Sequence, residues 1–198
     1  MIVKVCGITS QADALAAIDA GANALGFNFW QGSPRYLDPE AADFIPALPV
    51  LKVGVFVDCA AIEVAKIATR LQLDVVQLHG ASGAPAGVRY WRAASVRDGF
   101  DTATLRDQGA EAYLLDAPAG ALHGGTGKTF DWTLIRNASR HIVVAGGLDA
   151  SNVAMAISTA RPWGVDACSR LESAPGRKDH AKVAAFVAAA RAASLVLS

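Results

Sequence analysis

Ile2-Val3-Lys4-Val5-Cys6-Gly7-Ile8-Thr9-Ser10-Gln11-Ala12-Asp13 opens the chain with an apolar run, a glycine turn and a helix start. The run over 2–8 has the continuous apolar character of a strand covered on both faces. Ser10 can cap a helix, and Asp13 stands three residues on, at capping-box spacing. Strand, turn and helix in that order form the repeating unit of a parallel sheet.

The unit recurs along the chain. Strand-like runs are expected at 2–8, 24–29, 51–57, 73–78, 89–94, 112–115, 141–145 and 164–168. Helical stretches are expected between them. Asp38-Pro39-Glu40 sets out a cap, a proline for the first helical position and an acid for the first turn. Asp58 can cap a stretch whose Ile62, Ala65, Ala68 and Leu71 share one face, and another helix should start near 149–152. Val183, Phe186, Val187 and Ala190 give the last helix an apolar stripe. Strand and helix alternating eight times predict an α/β chain folded as a single (β/α)8 TIM barrel over residues 1–198, not an open doubly wound sheet.

The strand ends carry the chemistry. They read Cys6-Gly7-Ile8-Thr9, Ser33-Pro34-Arg35, Gln77-Leu78-His79-Gly80, Asp116 with Gly124-Gly125-Thr126-Gly127, Ala145-Gly146-Gly147-Leu148 and Asp166-Ala167-Cys168-Ser169. In a closed parallel barrel every strand points its C-terminus at one mouth, where active sites form. The connections 28–37 and 117–129 look longest. The glycine-rich 117–129 reads either as a lid over that mouth or as a solvated loop.

Composition narrows the class. The chain has 198 residues, 53% apolar and only 18% charged, with 18 basic and 18 acidic residues that cancel. No block of like charge supports binding to nucleic acid or to an anionic membrane surface. No apolar run approaches the length of a membrane span. The three cysteines, Cys6, Cys59 and Cys168, match neither a zinc ribbon nor a disulfide framework. Reduced thiols and an unadorned N-terminus lead to the expectation of a cytoplasmic protein. A monomer and a homodimer both suit the sequence.

Each candidate residue has two readings. Cys6 is a small buried apolar residue or a reactive thiol, and Lys4, two residues earlier on the same strand face, would favour its thiolate. Asp116 is a turn carboxylate or an acid–base partner across the mouth. Arg35 is a surface arginine or a bidentate clamp for a carboxylate. His79 is a proton carrier, a ligand-orienting group or a hydrogen-bonded turn residue. Gly146-Gly147, ahead of a helix, is a tight turn or an anion cradle, and barrels of this class often hold phosphate after strands seven and eight. Ser169 could add a hydroxyl there. No close Cys/His pair supports a metal site.

Read together and in order, these segments resemble the phosphoribosylanthranilate isomerases. The resemblance is carried by Lys4-Val5-Cys6-Gly7-Ile8-Thr9, Gly26-Phe27-Asn28-Phe29 with Ser33-Pro34-Arg35-Tyr36, Val53-Gly54-Val55-Phe56-Val57 and Val76-Gln77-Leu78-His79-Gly80. It continues through Asp116 with Gly124-Gly125-Thr126-Gly127 and Phe130-Asp131-Trp132, Ala145-Gly146-Gly147-Leu148 with Asn152-Val153, and Gly176-Arg177-Lys178-Asp179. It implies a cofactor-free Amadori rearrangement of N-(5-phosphoribosyl)anthranilate in tryptophan biosynthesis. By the same resemblance Cys6 is the general base and Asp116 the general acid. Arg35 would hold the anthranilate carboxylate, His79 would contact substrate, and Gly146, Gly147, Asp166 and Ser169 would line the phosphate site.

The family usually reads Asp-x-Ser-Ser-Gly-Val-Glu after strand eight, whereas this chain reads Asp166-Ala167-Cys168-Ser169-Arg170-Leu171-Glu172. An arginine in place of glycine would resist a left-handed backbone. The loop is therefore expected either to run differently or to bring Arg170 to the phosphate. A phosphosugar-binding barrel without turnover is the competing reading, set against two filled catalytic positions. A dual-substrate enzyme also serving histidine synthesis would be expected to carry an aspartate where Cys6 stands.

Overall fold

The computed structural model describes residues 1–107, 109–117 and 129–196. Eight strands close into a barrel in sequence order: β1 (Ile2–Cys6), β2 (Ala24–Asn28), β3 (Leu51–Val57), β4 (Val75–His79), β5 (Tyr90–Ser95), β6 (Ala112–Asp116), β7 (Ile142–Val144) and β8 (Gly164–Ala167). Neighbours are parallel throughout, and β1 closes on β8 with Lys4 opposite Asp166. All eight expected strands are present, their ends displaced by no more than two residues.

Strand alternation sorts the core into an inside and an outside. Ala24, Val53, Val75, Trp91, Ala112, Leu114, Val143 and Ala145 pack against one another within the barrel and fill its base. The alternate positions, including Val5, Leu25, Leu115, Val144 and Val165, pack outward against Phe186, Val187 and Ile157. The polar residues one or two positions beyond the inner apolar set are left to line the mouth.

The helices depart from the expected alternation. Among the described residues there are α1 (Gln11–Asp19), α2 (Ala61–Arg70), α3 (Val153–Ala160) and α4 (His180–Leu195), which follow β1, β3, β7 and β8. After β2, β5 and β6 the described residues form only 3-10 turns. The stretch from Asp38 forms two of them, Pro39–Ala41 and Ile45–Ala47, because Pro46 and Pro49 follow too closely for an α-helix to extend. Between β4 and β5, Gly83, Pro85 and Gly87 break any helix.

The caps divide. Ser10 Oγ accepts from the Asp13 N–H at 3.2 Å, as the spacing predicts. Asp13 does not complete a capping box; its carboxylate meets His180 Nε2 at 2.8 Å and the Lys178 N–H at 3.2 Å. Asp58 does not cap α2. It takes φ +49° and accepts from the Ala81 N–H at 2.7 Å, tying the end of β3 to the loop after β4, and Ala60 is the residue that precedes α2. The apolar stripe of α4 is buried as expected, with Val183, Phe186, Val187 and Ala190 all facing the core. Ahead of α4, β9 (Glu172–Ala174) and β10 (Arg177–Lys178) form a small antiparallel pair that the sequence did not announce. Residues 118–128, with the Gly124–Gly127 turn and most of the expected 117–129 lid, lie outside the described residues.

Candidate active site

The mouth of the barrel holds a cavity of about 570 Å³, open to solvent, and Cys6, Arg35, His79, Asp116 and Asp166 all line it. A smaller adjoining space of about 300 Å³ is lined by Gly146, Gly147, Ser169 and Arg170. Asp116, Asp166 and Cys168 line both. All eight expected site residues therefore meet along one two-chambered cleft.

Cys6 ends β1 and reaches solvent only through the cavity, surrounded otherwise by protein atoms. Gly26 of β2 makes room for it: a Cβ there would fall 2.6 Å from Cys6 Sγ and 2.9 Å from Lys4 Nζ. The Cys6 thiol is drawn down to about 7. The largest cause is a hydrogen bond from the Cys168 thiol; burial opposes it, and the Lys4 ammonium assists. Lys4 does lie on the same strand face, but its charge is the lesser influence. Its ammonium is fully buried and paired with Asp166 at 2.9 Å. Burial disfavours that charge, and Asp166 and Cys6 more than restore it, so Lys4 stays firmly protonated. Cys168 moves the other way: donating its hydrogen bond to Cys6 and being buried both hold its proton on.

Asp116, at the end of β6, is pushed up to about 6. Burial contributes most, and the Asp166 carboxylate adds repulsion. A thiol lowered toward neutrality and a carboxyl raised toward it thus share one cavity, each able to exchange a proton there.

Arg35 is clamped to a carboxylate, and the carboxylate is the chain's own. Nε and Nη2 each donate to Glu172 at 2.8 Å, and Lys178 Nζ reaches the same carboxylate at 3.0 Å. Burial works against the Glu172 charge, but the two cations keep its carboxyl below the usual range. Of five guanidinium N–H groups, the two used here leave three, at least two of them on Nη1, for a second acceptor. The β9–β10 pair exists at this point to deliver Glu172 and Lys178 to one spot.

Gly146 and Gly147 take φ +86° and +61°, left-handed conformations that side chains resist. Asn152 pins this turn, donating to the Gly147 carbonyl at 2.8 Å and accepting from the Asp149 N–H at 3.0 Å. Ser169–Leu171 forms a 3-10 turn facing it. Arg170 is not among the left-handed residues, so the loop accommodates the arginine without strain. Its guanidinium pairs with Asp149 at 2.8 Å at the rim of the smaller chamber.

Gln77 joins the site beside His79. Its side chain is only 3% exposed and lines the larger cavity, and its Nε2 lies 2.8 Å from His79 Nε2. Its Oε1 is buried without a partner. The signal available in the sequence was a glutamine at an inward position one turn of the pleat below His79. Among the described residues no three His, Cys, Asp or Glu side chains are grouped to hold a metal ion.

A sequence profile described as N-(5'-phosphoribosyl)anthranilate isomerase matches residues 3–189. The chain belongs to the N-(5'-phosphoribosyl)anthranilate isomerase family. Curated relatives of that name include one from Solibacter usitatus, 55% identical over 98% of both chains, and one from a Geobacter species, 48% identical over 96% of this chain and 97% of that one. The phosphoribosylanthranilate isomerase of Thermotoga maritima superposes with a TM-score of 0.86 at 36% identity, covering 97% of this chain and all of that one. Another isomerase structure, in complex with reduced 1-(o-carboxyphenylamino)-1-deoxyribulose 5-phosphate, superposes with a TM-score of 0.81 at 34% identity, covering 97% of this chain and all of that one. The family is an isomerase family of tryptophan biosynthesis with a TIM-barrel fold, as the sequence resemblance implies. No helix among the described residues is long and apolar enough to cross a membrane.

Proposed function

We propose that this chain, acting as one barrel domain in the cytoplasm, converts N-(5'-phosphoribosyl)anthranilate to 1-(o-carboxyphenylamino)-1-deoxyribulose 5-phosphate by acid–base catalysis. The observation that carries the reading is the thiol–carboxyl pair of Cys6 and Asp116, with ionisations brought to about 7 and about 6, across one cavity. Asp116, protonated, gives its proton to the furanose ring oxygen, and the ring opens to an iminium between C1' and the anthranilate nitrogen. The iminium acidifies C2'–H. Cys6 thiolate removes that proton, leaving an enolamine. Protonation at C1' and loss of the C2' hydroxyl proton give the ketone. One proton then passes from Cys6 to Asp116 to restore the starting pair.

The rest of the cleft divides the substrate between its chambers. The Gly146-Gly147 N–H groups and Ser169 receive the phosphate, and Arg170 supplies the cation at the rim. Asp166 borders both chambers, its charge matched by Lys4. The unused N–H groups of Arg35 hold the anthranilate carboxylate. Gln77 and His79 meet the sugar hydroxyls, which gives the orphaned amide atom a partner.

Mixing the purified protein with freshly made phosphoribosylanthranilate is expected to extinguish the substrate's fluorescence enzymatically. Binding of a product analogue without that decay would instead identify a sugar-phosphate-binding barrel. The pH profile follows from the two ionisations. Cys6 holds its proton below about 7 and Asp116 gives up its own above about 6, so thiolate and carboxylic acid coexist in a fraction that falls away below about 6 and above about 7. The profile of kcat/KM is therefore expected to be a bell with limbs near those values. Because the acid is the stronger of the two, the productive form is a minority even at the optimum. Arg35→Lys keeps the charge and loses the planar fork. Its kcat/KM should fall about 10- to 100-fold, mostly through KM, from loss of a charge-assisted bond of about 1.5–3 kcal/mol.

A further inference from the structure

Two cysteines face each other inside the proposed active site, and one of them stands where the family usually carries serine. Cys6 and Cys168 each directly follow the last paired residues of β1 and β8, Val5 opposite Ala167. Neighbouring strands lie about 4.8 Å apart, inside the Cα separation that a disulfide spans, about 4.4–6.8 Å. Both side chains line the same cavity, and each thiol is the largest influence on the other's ionisation. A Cβ on Gly7, the residue after Cys6, would lie 2.8 Å from Cys168 Sγ. Lys178 Nζ stands 3.9 Å from the same sulfur, beside the carbonyl of Cys168 at 3.2 Å. Cys59 lines neither chamber.

We propose that Cys6 and Cys168 form a reversible peroxide-sensitive pair that takes the catalytic base out of service as a disulfide. This regulation rests on Cys6 being the base. The cavity admits a small oxidant to Cys6, whose thiolate is the nucleophile. Cys6 thiolate attacks one oxygen of hydrogen peroxide, the O–O bond breaks, and Cys6 becomes a sulfenic acid while the departing hydroxide takes up a proton as water. Cys168 then attacks the Cys6 sulfur. The S–O bond breaks, hydroxide leaves and takes the Cys168 proton, and the S–S bond forms. Two thiols lose two electrons to one peroxide, and two waters result. The Lys178 ammonium favours the Cys168 thiolate in the second step, once the Cys6 negative charge that held its proton is gone. A small dithiol reverses the sequence. Cys168 also shields Cys6 from further, irreversible oxidation, because the sulfenic acid is consumed by its neighbour.

The test treats the full chain with hydrogen peroxide, then with dithiothreitol, and follows both intact mass and isomerase rate. The expected result is a mass lower by two hydrogens, a non-reduced peptide joining the segments of Cys6 and Cys168, loss of activity, and recovery of both on reduction. Cys168→Ser, normalised to its own untreated rate and checked for folding by circular dichroism, should lose activity without recovery and gain two or three oxygens on Cys6, the sulfinic and sulfonic states that a dithiol does not reduce. Oxygen added to Cys6 of the native chain with no joined peptide, or a bridge to Cys59 or to a second chain, would overturn the pair while leaving the catalytic reading of Cys6 intact. A Cys6–Cys168 bridge with undiminished activity would overturn the switch together with the role of Cys6 as base.

Discussion

Asp116→Asn is expected to lower kcat/KM for N-(5'-phosphoribosyl)anthranilate about 10²- to 10⁴-fold, the usual contribution of a positioned general acid. The substitution is nearly isosteric, so the cavity keeps its shape. What it removes is the proton that the ring oxygen must receive. Stability should not fall with activity. Asp116 is a carboxyl kept largely out of water, beside the Asp166 carboxylate, and both circumstances raise its ionisation to about 6. Replacing it by a neutral amide relieves that conflict, so the thermal midpoint is expected to hold or rise slightly. Opposite movement of rate and stability distinguishes loss of a catalytic group from damage to the fold. The alkaline limb of the pH profile should vanish in the residual activity, because the ionisation responsible for it is gone.

Cys6→Ser completes the test from the other side. A serine hydroxyl can still accept from Cys168, but it cannot ionise near neutral pH, so the loss should be comparable. The double variant should be little worse than either single one, since an acid and a base that serve one proton relay fail as a unit. Steady-state rates for the three variants check this. Near-native turnover by both single variants would remove the acid and the base from the mechanism.

The barrel was legible because its strands are short apolar runs that end in glycine or a polar residue, and short-range alternation is written directly in the sequence. Cys6, His79, Asp116 and Asp166 could be placed at the mouth because each lies at or near a strand's C-terminal end. The helices were less legible. Asp38-Pro39-Glu40 is a good start signal, but Pro46 and Pro49 stop the segment at 3-10 turns. Asp58 looked like a cap because its type fits, whereas its left-handed backbone sends the carboxylate to Ala81. Least legible were contacts between distant segments. Nothing local to Arg35 announces that Glu172, 137 residues away, occupies its fork. Nor does the sequence around Cys6 say that the strongest influence on its proton is Cys168 rather than the nearby Lys4.

Lys4→Met is expected to destabilise the protein by about 3–5 kcal/mol, because it leaves the Asp166 carboxylate without its buried partner. For a chain of this size that corresponds to a fall in thermal midpoint of about 6–20 °C. The lysine is completely enclosed and Asp166 touches solvent only along the cleft, so water replaces the lost ammonium poorly. Asp166→Asn in the same chain should restore much of the stability, since the cost comes from an uncompensated charge and not from the shape of the site. The pair also tunes the base. Lys4 lowers the ionisation of Cys6 and Asp166 raises it. The single substitution should therefore move the alkylation profile of Cys6 to higher pH, and the double substitution should bring it part of the way back. Cys168→Ala removes the larger influence and should move the profile further than Lys4→Met does. An unchanged Cys6 profile in Lys4→Met would mean that the ammonium serves only Asp166. A buried ion pair that merely closes the barrel between β1 and β8 would change the thermal midpoint alone, whereas one that also sets the charge around Cys6 must change both.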